Sequence, residues 1–298
     1  MKRNVIRRRA IEPKSSADNP DPRDGGVQCV DRALLIIETL AEDDEGYRLS
    51  DLAVRTGLST STAHRLLATL EKRRFVQFDR YESKWHVGAQ SFAVGATFTR
   101  RRNFAAQAMP YLRKLRDQTR ETANLAVVDD ESIIVLTRME SREIMRSLTK
   151  VGGRVAMVAS GVGKAVLATY SDEDVNAIIH RQGMPRLTEK SIVRPSELFR
   201  ELEAIRRQGY AVDDEEARVG LRCVAAVVYN DCSEPLAAIS VSGMTSRLTD
   251  DRLPAIGRTV HEVAGELTVA LGGVIPVAAG ESSLQRGSGG SDSTFSSR

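Results

Sequence analysis

The chain has 298 residues, 41% hydrophobic and 28% charged, which suits about two folded domains and excludes a wholly disordered protein. It holds no run of 18 apolar residues, so no membrane-spanning helix is expected, and its basic start, MKRNVIRRRAIEPK, lacks the apolar stretch of a secretory signal. Three cysteines, Cys29, Cys223 and Cys232, with no C-x-x-C pair, fit reduced thiols in a cytoplasmic protein better than a disulfide framework or a zinc finger.

The net charge of +3 is unevenly spread. Residues 1–103 carry 19 Lys/Arg against 14 Asp/Glu, a net of +5, and the remainder carries 24 against 26, a net of −2. A basic end on a mildly acidic body points to a polyanion partner; a solvated basic tail around Arg7, Arg8 and Arg9 is the alternative.

Residues 1–26 hold three of the nine prolines and no hydrophobic period, and read as a disordered basic leader. Val30, Ala33, Leu34, Ile37, Leu40 and Ala41 then recur at helical spacing, which predicts one apolar helix face ended by EDDEG (42–46). Ser50 is placed to cap a short helix, DLAVRT, that Gly57 ends. Ser59 is placed to cap a third helix with Ala63, Leu66, Leu67 and Leu70 as its buried stripe. FVQFD (75–79) and KWHV (84–87) alternate around RYES as a hairpin does.

Helix, short helix, tight turn, helix and hairpin is the order of a winged helix-turn-helix, spanning residues 27–88. Packing through Leu52, Ala53, Leu58, Ala63, Leu66 and Leu67 leaves Thr60, Ser61, Thr62, His64 and Arg65 facing outward. Hydroxyls at Ser59, Thr60, Ser61 and Thr62 lie where a helix N-terminus favours phosphate, and Arg65 can reach a guanine edge. Arg80 and Lys84 make the wing basic. Double-stranded DNA is the expected partner, and a protein-docking module is the alternative.

A linker helix is expected over residues 89–104, with Ala89, Phe92, Ala93 and Ala96 suited to packing on a second subunit or on its own domain. Residues 105–275 mix elements. MPYLRKLRDQT, SGVGKAVLATY, EDVNAIIHRQ and ELFRELEAIRRQG read as helices. ANLAVVDDESIIVLTRM reads as two strands, EIMRSL as a third, and LRCVAAVVYND with PLAAISVSG as a strand pair. The stripe Val260, Val263, Ala264, Leu267 and Leu271 closes the domain with a helix. Strands and helices do not alternate strictly, so the fold class is α+β in two domains. Residues 276–298 read as a disordered Gly/Ser-rich tail.

Catalytic templates fail. SGVGKA resembles a phosphate-binding loop, but Val158 before it and Ala165 at its end stand where that loop needs Gly and Ser/Thr. Ser160 and Ser242 lack the glycines of a nucleophile elbow, and the four histidines fall in separate segments, so neither catalysis, metal nor cofactor is expected. DDEE (213–216) reads as a solvated charge run more readily than as an acid–base pair. A binding site is easier to assemble: free N–H groups at Ser160-Gly161-Val162-Gly163 can hold a carboxylate, Ser240 and Ser242 share a strand face, and Cys223 shares one with Leu221 and Ala225. An ordinary solvent-facing sheet surface is the alternative for the two serines.

The stretches VDRALLIIETLAE, LSDLAVRTGLSTSTAHRLLATLEKRRFV, ETANLAVVDD, ASGVGKAVLA, GYAVDDEEARVGLRCVAA and PLAAISVSGMTSRLTDDR together resemble the IclR family of bacterial transcriptional regulators over residues 27–275. The resemblance implies a C-terminal GAF-like, profilin-like effector-binding domain after the winged helix. It also implies palindromic operators bound as a homodimer or dimer of dimers, and a small organic acid that alters DNA binding. The last three stretches are most similar to members that repress an acetate or glyoxylate-bypass operon, whose effectors are glyoxylate and pyruvate. The implied polar pocket is the backbone at Gly161 and Val162 with Asp213, Cys223, Ser240 and Ser242; the implied apolar wall is Ile144, Val155 and Leu221. Ser147 falls where those members have a bulky apolar residue, which enlarges or polarises the pocket. The alternatives are an activator of aromatic-acid catabolism within the family and, outside it, a small-molecule enzyme with a docking module.

Overall fold

The computed structural model describes residues 27–101, 104–129, 132–141 and 150–276. The expected leader, most of the expected tail, the strand expected at EIMRSL, Ile144 and Ser147 lie outside the described residues. The chain divides after Arg101 into two units.

The first unit contains α1 (Gln28–Ala41), α2 (Leu49–Thr56), α3 (Thr60–Lys72), β1 (Val76–Asp79), β2 (Lys84–Val87) and α4 (Ala89–Arg101). Ile36, Leu40, Tyr47, Leu52, Leu67, Val76 and Trp85 form its core. The face that α1 buries is shifted from the expected stripe: Leu40 is inside, Ile37 packs against the core and Ala33 is half-buried as expected, joined by Ile36, whereas Val30 and Leu34 are half exposed and Ala41 is exposed. This helix is apolar on two sides, so periodicity alone does not decide which side meets the core. Ser50 does not cap α2; the N-cap is Arg48, and the Ser50 hydroxyl lies within the first turn beside Asp51. Gly57 ends α2 at φ 66°, a left-handed conformation, with its N–H directed to the Ala53 and Val54 carbonyls. Ser59 caps α3 by accepting from the Thr62 N–H at 3.2 Å. The hairpin pairs β1 with β2 from Val76–Val87 to Asp79–Lys84.

The second unit contains α5 (Phe104–Thr119), β3 (Thr122–Asp129), β4 (Ser132–Met139), β5 (Arg154–Val155), α6 (Gly161–Leu167) and α7 (Asp172–Gln182). It continues with α8 (Pro195–Gln208), β6 (Ala211–Asp214), β7 (Leu221–Tyr229), β8 (Pro235–Met244) and α9 (Leu253–Ala270). Among the described residues its six strands form one antiparallel sheet in the order β5-β4-β3-β8-β7-β6. The short strands β5 and β6 are not expected from the sequence.

Both faces of the sheet are covered, which is why β7 and β8 read as nearly continuous apolar runs. Leu125, Val224, Ala226, Ile239 and Val241 face α5 and α9, where Leu112, Leu115, Val260 and Leu267 complete one core. The alternate residues Ala126, Ala225, Val227 and Ala238 face α6, α7 and α8, with Val166, Leu167, Val175, Leu198 and Leu202. Alanines dominate the second face, so α6 can lie close to the strands. A Cβ on Gly161 would stand 3.0 Å from the Cys223 carbonyl oxygen and 3.3 Å from its Sγ. One on Gly163 would stand 2.1 Å from the Met157 carbonyl oxygen.

Overpacking of that kind typically costs about 1–3 kcal/mol. Gly163→Ala should therefore lower the unfolding free energy by about 3 kcal/mol, read by urea unfolding, while Gly95→Ala, where nothing lies within 4 Å, should not lower it.

Candidate functional site

In the first unit the exposed face of α3 carries Thr60, Ser61, His64 and Arg65, all exposed, with Thr62 half-buried. The Ser59 hydroxyl is committed to the cap: it lies 2.8 Å from Thr62 Oγ1 and 3.2 Å from Ser61 Oγ as well as on the Thr62 N–H. The three hydroxyls form one cluster at the start of the helix, where unpaired N–H groups and the dipole favour an anion. On the wing, Asp79 Oδ1 accepts from the Tyr81 and Glu82 N–H groups, and these bonds hold its carboxyl below the usual range. Arg80 is exposed; Lys84 is half-buried and paired with Glu82 at 3.3 Å. Of the two wing cations, only Arg80 projects with no carboxylate described beside it.

In the second unit the strand register assembles the polar side chains expected from the sequence. Asp213 on β6 stands opposite Cys223 on β7, and Cys223 stands opposite Ser242 on β8. Ser240, two residues back along β8, stands opposite Ala225 on one side and Asn124 of β3 on the other. All of these side chains lie on the face covered by α6, and Gly161 at the start of that helix lies over Cys223. Ser240 is 2% and Asp213 4% exposed, which removes the solvent-face alternative; Cys223 and Ser242 are half-buried.

Ser160 caps α6 by accepting from the Gly163 N–H at 3.0 Å and itself donates to the Ala156 carbonyl. The N–H groups of Gly161 and Val162 have no acceptor within the helix, as the first turn requires. Leu221 is half-buried at the start of β7, on the same face as Cys223. Val155 is elsewhere, on the edge strand β5 opposite Ile133, packed against the apolar cluster beneath α6.

Two residues escape a reading of the sequence. Asn124 is 8% exposed, and its Nδ2 donates to Ser240 Oγ at 3.4 Å and Ser242 Oγ at 3.3 Å. Lys164 is fully buried, and its ammonium donates to the Val212 carbonyl at 2.7 Å, to Glu201 Oε1 at 3.3 Å and to the Glu216 carboxylate. The DDEE segment is likewise not a solvated run. Asp213 and Glu216 are buried, whereas Asp214 and Glu215 turn outward to Lys190, with Asp214 also on Arg222. Strand alternation turns 213 inward and 214 outward, and the turn that follows brings 216 back in.

Asp213 Oδ1 accepts from the Glu216 N–H at 2.8 Å and the Ala217 N–H at 3.3 Å; among the described residues its other oxygen has no partner. Burial pushes the Asp213 carboxyl above its ordinary range, against the pull of those two N–H groups and of Lys164. Burial, with Asp213 adding, pushes the Cys223 thiol up to about 11, while the Ser242 and Ser240 hydroxyls pull it down. A thiol at neutral pH is a poor nucleophile. Among the described residues no group of three or more His, Cys, Asp or Glu side chains is arranged to hold a metal. A cavity of about 1230 Å³ opens at the far end of this unit, between α5, α8, α9 and the β7–β8 turn, and contains none of these residues. The polar row is thus suited to bind a small polar molecule and not to attack it.

Lys164→Met leaves Glu216 buried without a cation and should destabilise the chain by about 3–5 kcal/mol in urea, most of it recovered by adding Glu216→Gln. Asp213 supplies a pH dependence with a definite sign. The folded state holds its proton to higher pH than the unfolded chain does, so the group's contribution to stability is complete below the ordinary carboxylate range and lost as pH rises through the raised value. The unfolding free energy of Asp213→Asn minus that of the parent should therefore rise with pH across that window, measured by urea unfolding from pH 4 to 7.

The family description "Bacterial transcriptional regulator IclR C-terminal" matches residues 96–269, and "IclR helix-turn-helix domain" matches residues 29–80. The "Acetate operon repressor" of Salmonella typhimurium is 42% identical over 254 residues, covering 85% of this chain and 93% of that protein. The "Transcriptional repressor IclR" of Escherichia coli K12 is 41% identical over 255 residues, covering 85% and 93%. Among solved structures, the Thermotoga maritima IclR matches with a TM-score of 0.65 at 25% identity, covering 82% of this chain and 99% of that one. No helix among the described residues is long and apolar enough to cross a membrane. With both parts matched in order along the chain, this protein belongs to the IclR family of transcriptional regulators, DNA-binding proteins and not enzymes.

Proposed function

We propose that the chain represses an acetate or glyoxylate-bypass type of operon, and that a small organic acid, glyoxylate or pyruvate, bound in the second unit modulates its hold on the operator. The observation that carries the reading is the convergence of Asp213, Cys223, Ser240 and Ser242 on one sheet face beneath Gly161. The likeness to two repressors at 41% and 42% identity supports the target. The acid's carboxylate is held by the serine hydroxyls and the Gly161 and Val162 N–H groups, and its other polar end meets Asp213. Leu221, on the same face of β7 as Cys223, supplies apolar surface.

So few ligand atoms support only modest affinity, about micromolar to millimolar. The acid acts through unequal affinity for two states of a homodimer or dimer of dimers on a palindromic site. On the DNA side, Thr60, Ser61, Thr62 and Arg80 meet phosphate, Ser59 shapes that cluster, and Lys84 adds charge. His64 and Arg65 face the base edges.

A gel-shift titration on DNA upstream of this chain's own gene, and of any adjacent isocitrate lyase or malate synthase gene, tests the reading. Specific binding that shifts with glyoxylate or pyruvate is expected; superimposable titrations with bound acid would remove the effector role. Arg65→Ala should weaken specific binding by about 1–3 kcal/mol and relax the sequence preference.

A further inference from the structure

Asn124 sits on β3 beside the two serines of β8, and its amide nitrogen faces both hydroxyl oxygens. An amide nitrogen only donates, so Ser240 Oγ and Ser242 Oγ each act as acceptors there, and each keeps one O–H proton to give elsewhere. On the side away from β3, Cys223 stands opposite Ser242 and between it and Asp213, and both hydroxyls stand close enough to stabilise a charge on its sulfur. At the far end Asp213 offers an oxygen that no described group occupies, its Oδ1 being taken by the Glu216 and Ala217 N–H groups. The row therefore has a direction: donors on β8, a small neutral floor at Cys223, and an acceptor on β6. Asp213 and Ser242 are two strand spacings apart, about 10 Å between backbones, with Cys223 between them.

We infer that Asn124 is a positioning residue that fixes this polarity, so that the site selects a small acid whose carboxylate accepts from Ser240 and Ser242 and whose other end donates to Asp213. The matching class is a 2-hydroxy acid or the hydrate of a 2-oxo acid. The inference rests on the effector reading above and narrows it: glyoxylate in water is largely the hydrate, with two hydroxyl protons, whereas acetate has the carboxylate and no donor.

Isothermal titration of the full chain with glycolate, glyoxylate and acetate, three anions of equal charge, reads both ends separately. The parent protein should bind glycolate and glyoxylate at least tenfold more tightly than acetate. Asn124→Leu, which removes the donor without adding charge, should weaken glycolate and acetate by the same factor, about tenfold, and leave their ratio unchanged. Asp213→Asn, which turns a donor toward the ligand's donor, should bring the ratio close to one. A loss of fold or of general pocket shape would not separate the two variants in this way. If Leu at position 124 prevents folding, Ser240→Ala and Ser242→Ala report on the same end and should behave as Asn124→Leu. Acetate bound as tightly as glycolate by the parent protein, or an Asn124→Leu variant with parental affinities, overturns the inference and leaves the effector reading standing. No binding of any of the three acids by protein that still holds its operator overturns both.

Discussion

The second unit is organised around one buried cation. Lys164 carries a full positive charge into a place with no solvent, and the cost of doing so is met by three acceptors from three separate parts of the chain: the Val212 carbonyl of β6, Glu216 in the turn after it, and Glu201 of α8. These contacts fix α6 against the edge of the sheet and α8 against both. The turn they hold is the one whose N–H groups grip Asp213, and α6 is the helix that places Gly161 over Cys223. One Glu216 oxygen is left buried without a partner, the sole buried side-chain polar atom in that state among the described residues, and it marks the network as one assembled at some energetic cost. Two carboxylates share this single ammonium, so an acid bound as proposed above is held by hydroxyl and amide protons aimed at it and not by a free cation.

The first unit depends on smaller devices. A left-handed Gly57 turns α2 into α3, a serine cap sets where α3 begins, and the Asp79 carboxylate shapes the wing tip. Each acts within a few residues of itself, and this is why the sequence of the region makes its fold largely legible. Gly57 and Ser59 are local signals, and the hairpin alternates visibly. Periodicity misleads at α1, where the sequence offers two apolar sides to one helix and only the surrounding core at Tyr47, Leu52 and Leu67 selects between them. Ser50 fails as a cap because the helix begins two residues earlier than expected, at Leu49.

In the second unit legibility falls as sequence separation grows. Family resemblance names the serines, Cys223 and Asp213 as pocket residues, and strand period alone puts Ser240 and Ser242 on one face. Nothing local announces that Lys164 is buried, since its partners lie 37 to 52 residues away. Asn124 is a single amide in an apolar strand, a hint that it faces something polar, but its partners lie 116 and 118 residues on. The edge strands β5 and β6, of two and four residues, are too short for any period to register.

The position of the polar row in the sheet also has a mechanical side. β8 is flanked on both sides, by β3 and β7, so its two serines sit in a strand hydrogen-bonded along both edges. β6, which carries Asp213, is the last strand among the described residues and is bonded there to β7 alone. Strands tied on one side open at lower free energy than those tied on two. A molecule bridging the row therefore joins an anchored end to a pliant one, and any displacement it causes falls on β6. In the proposed effector reading, the Lys164 contacts are what join that edge of the sheet to α6 and α8.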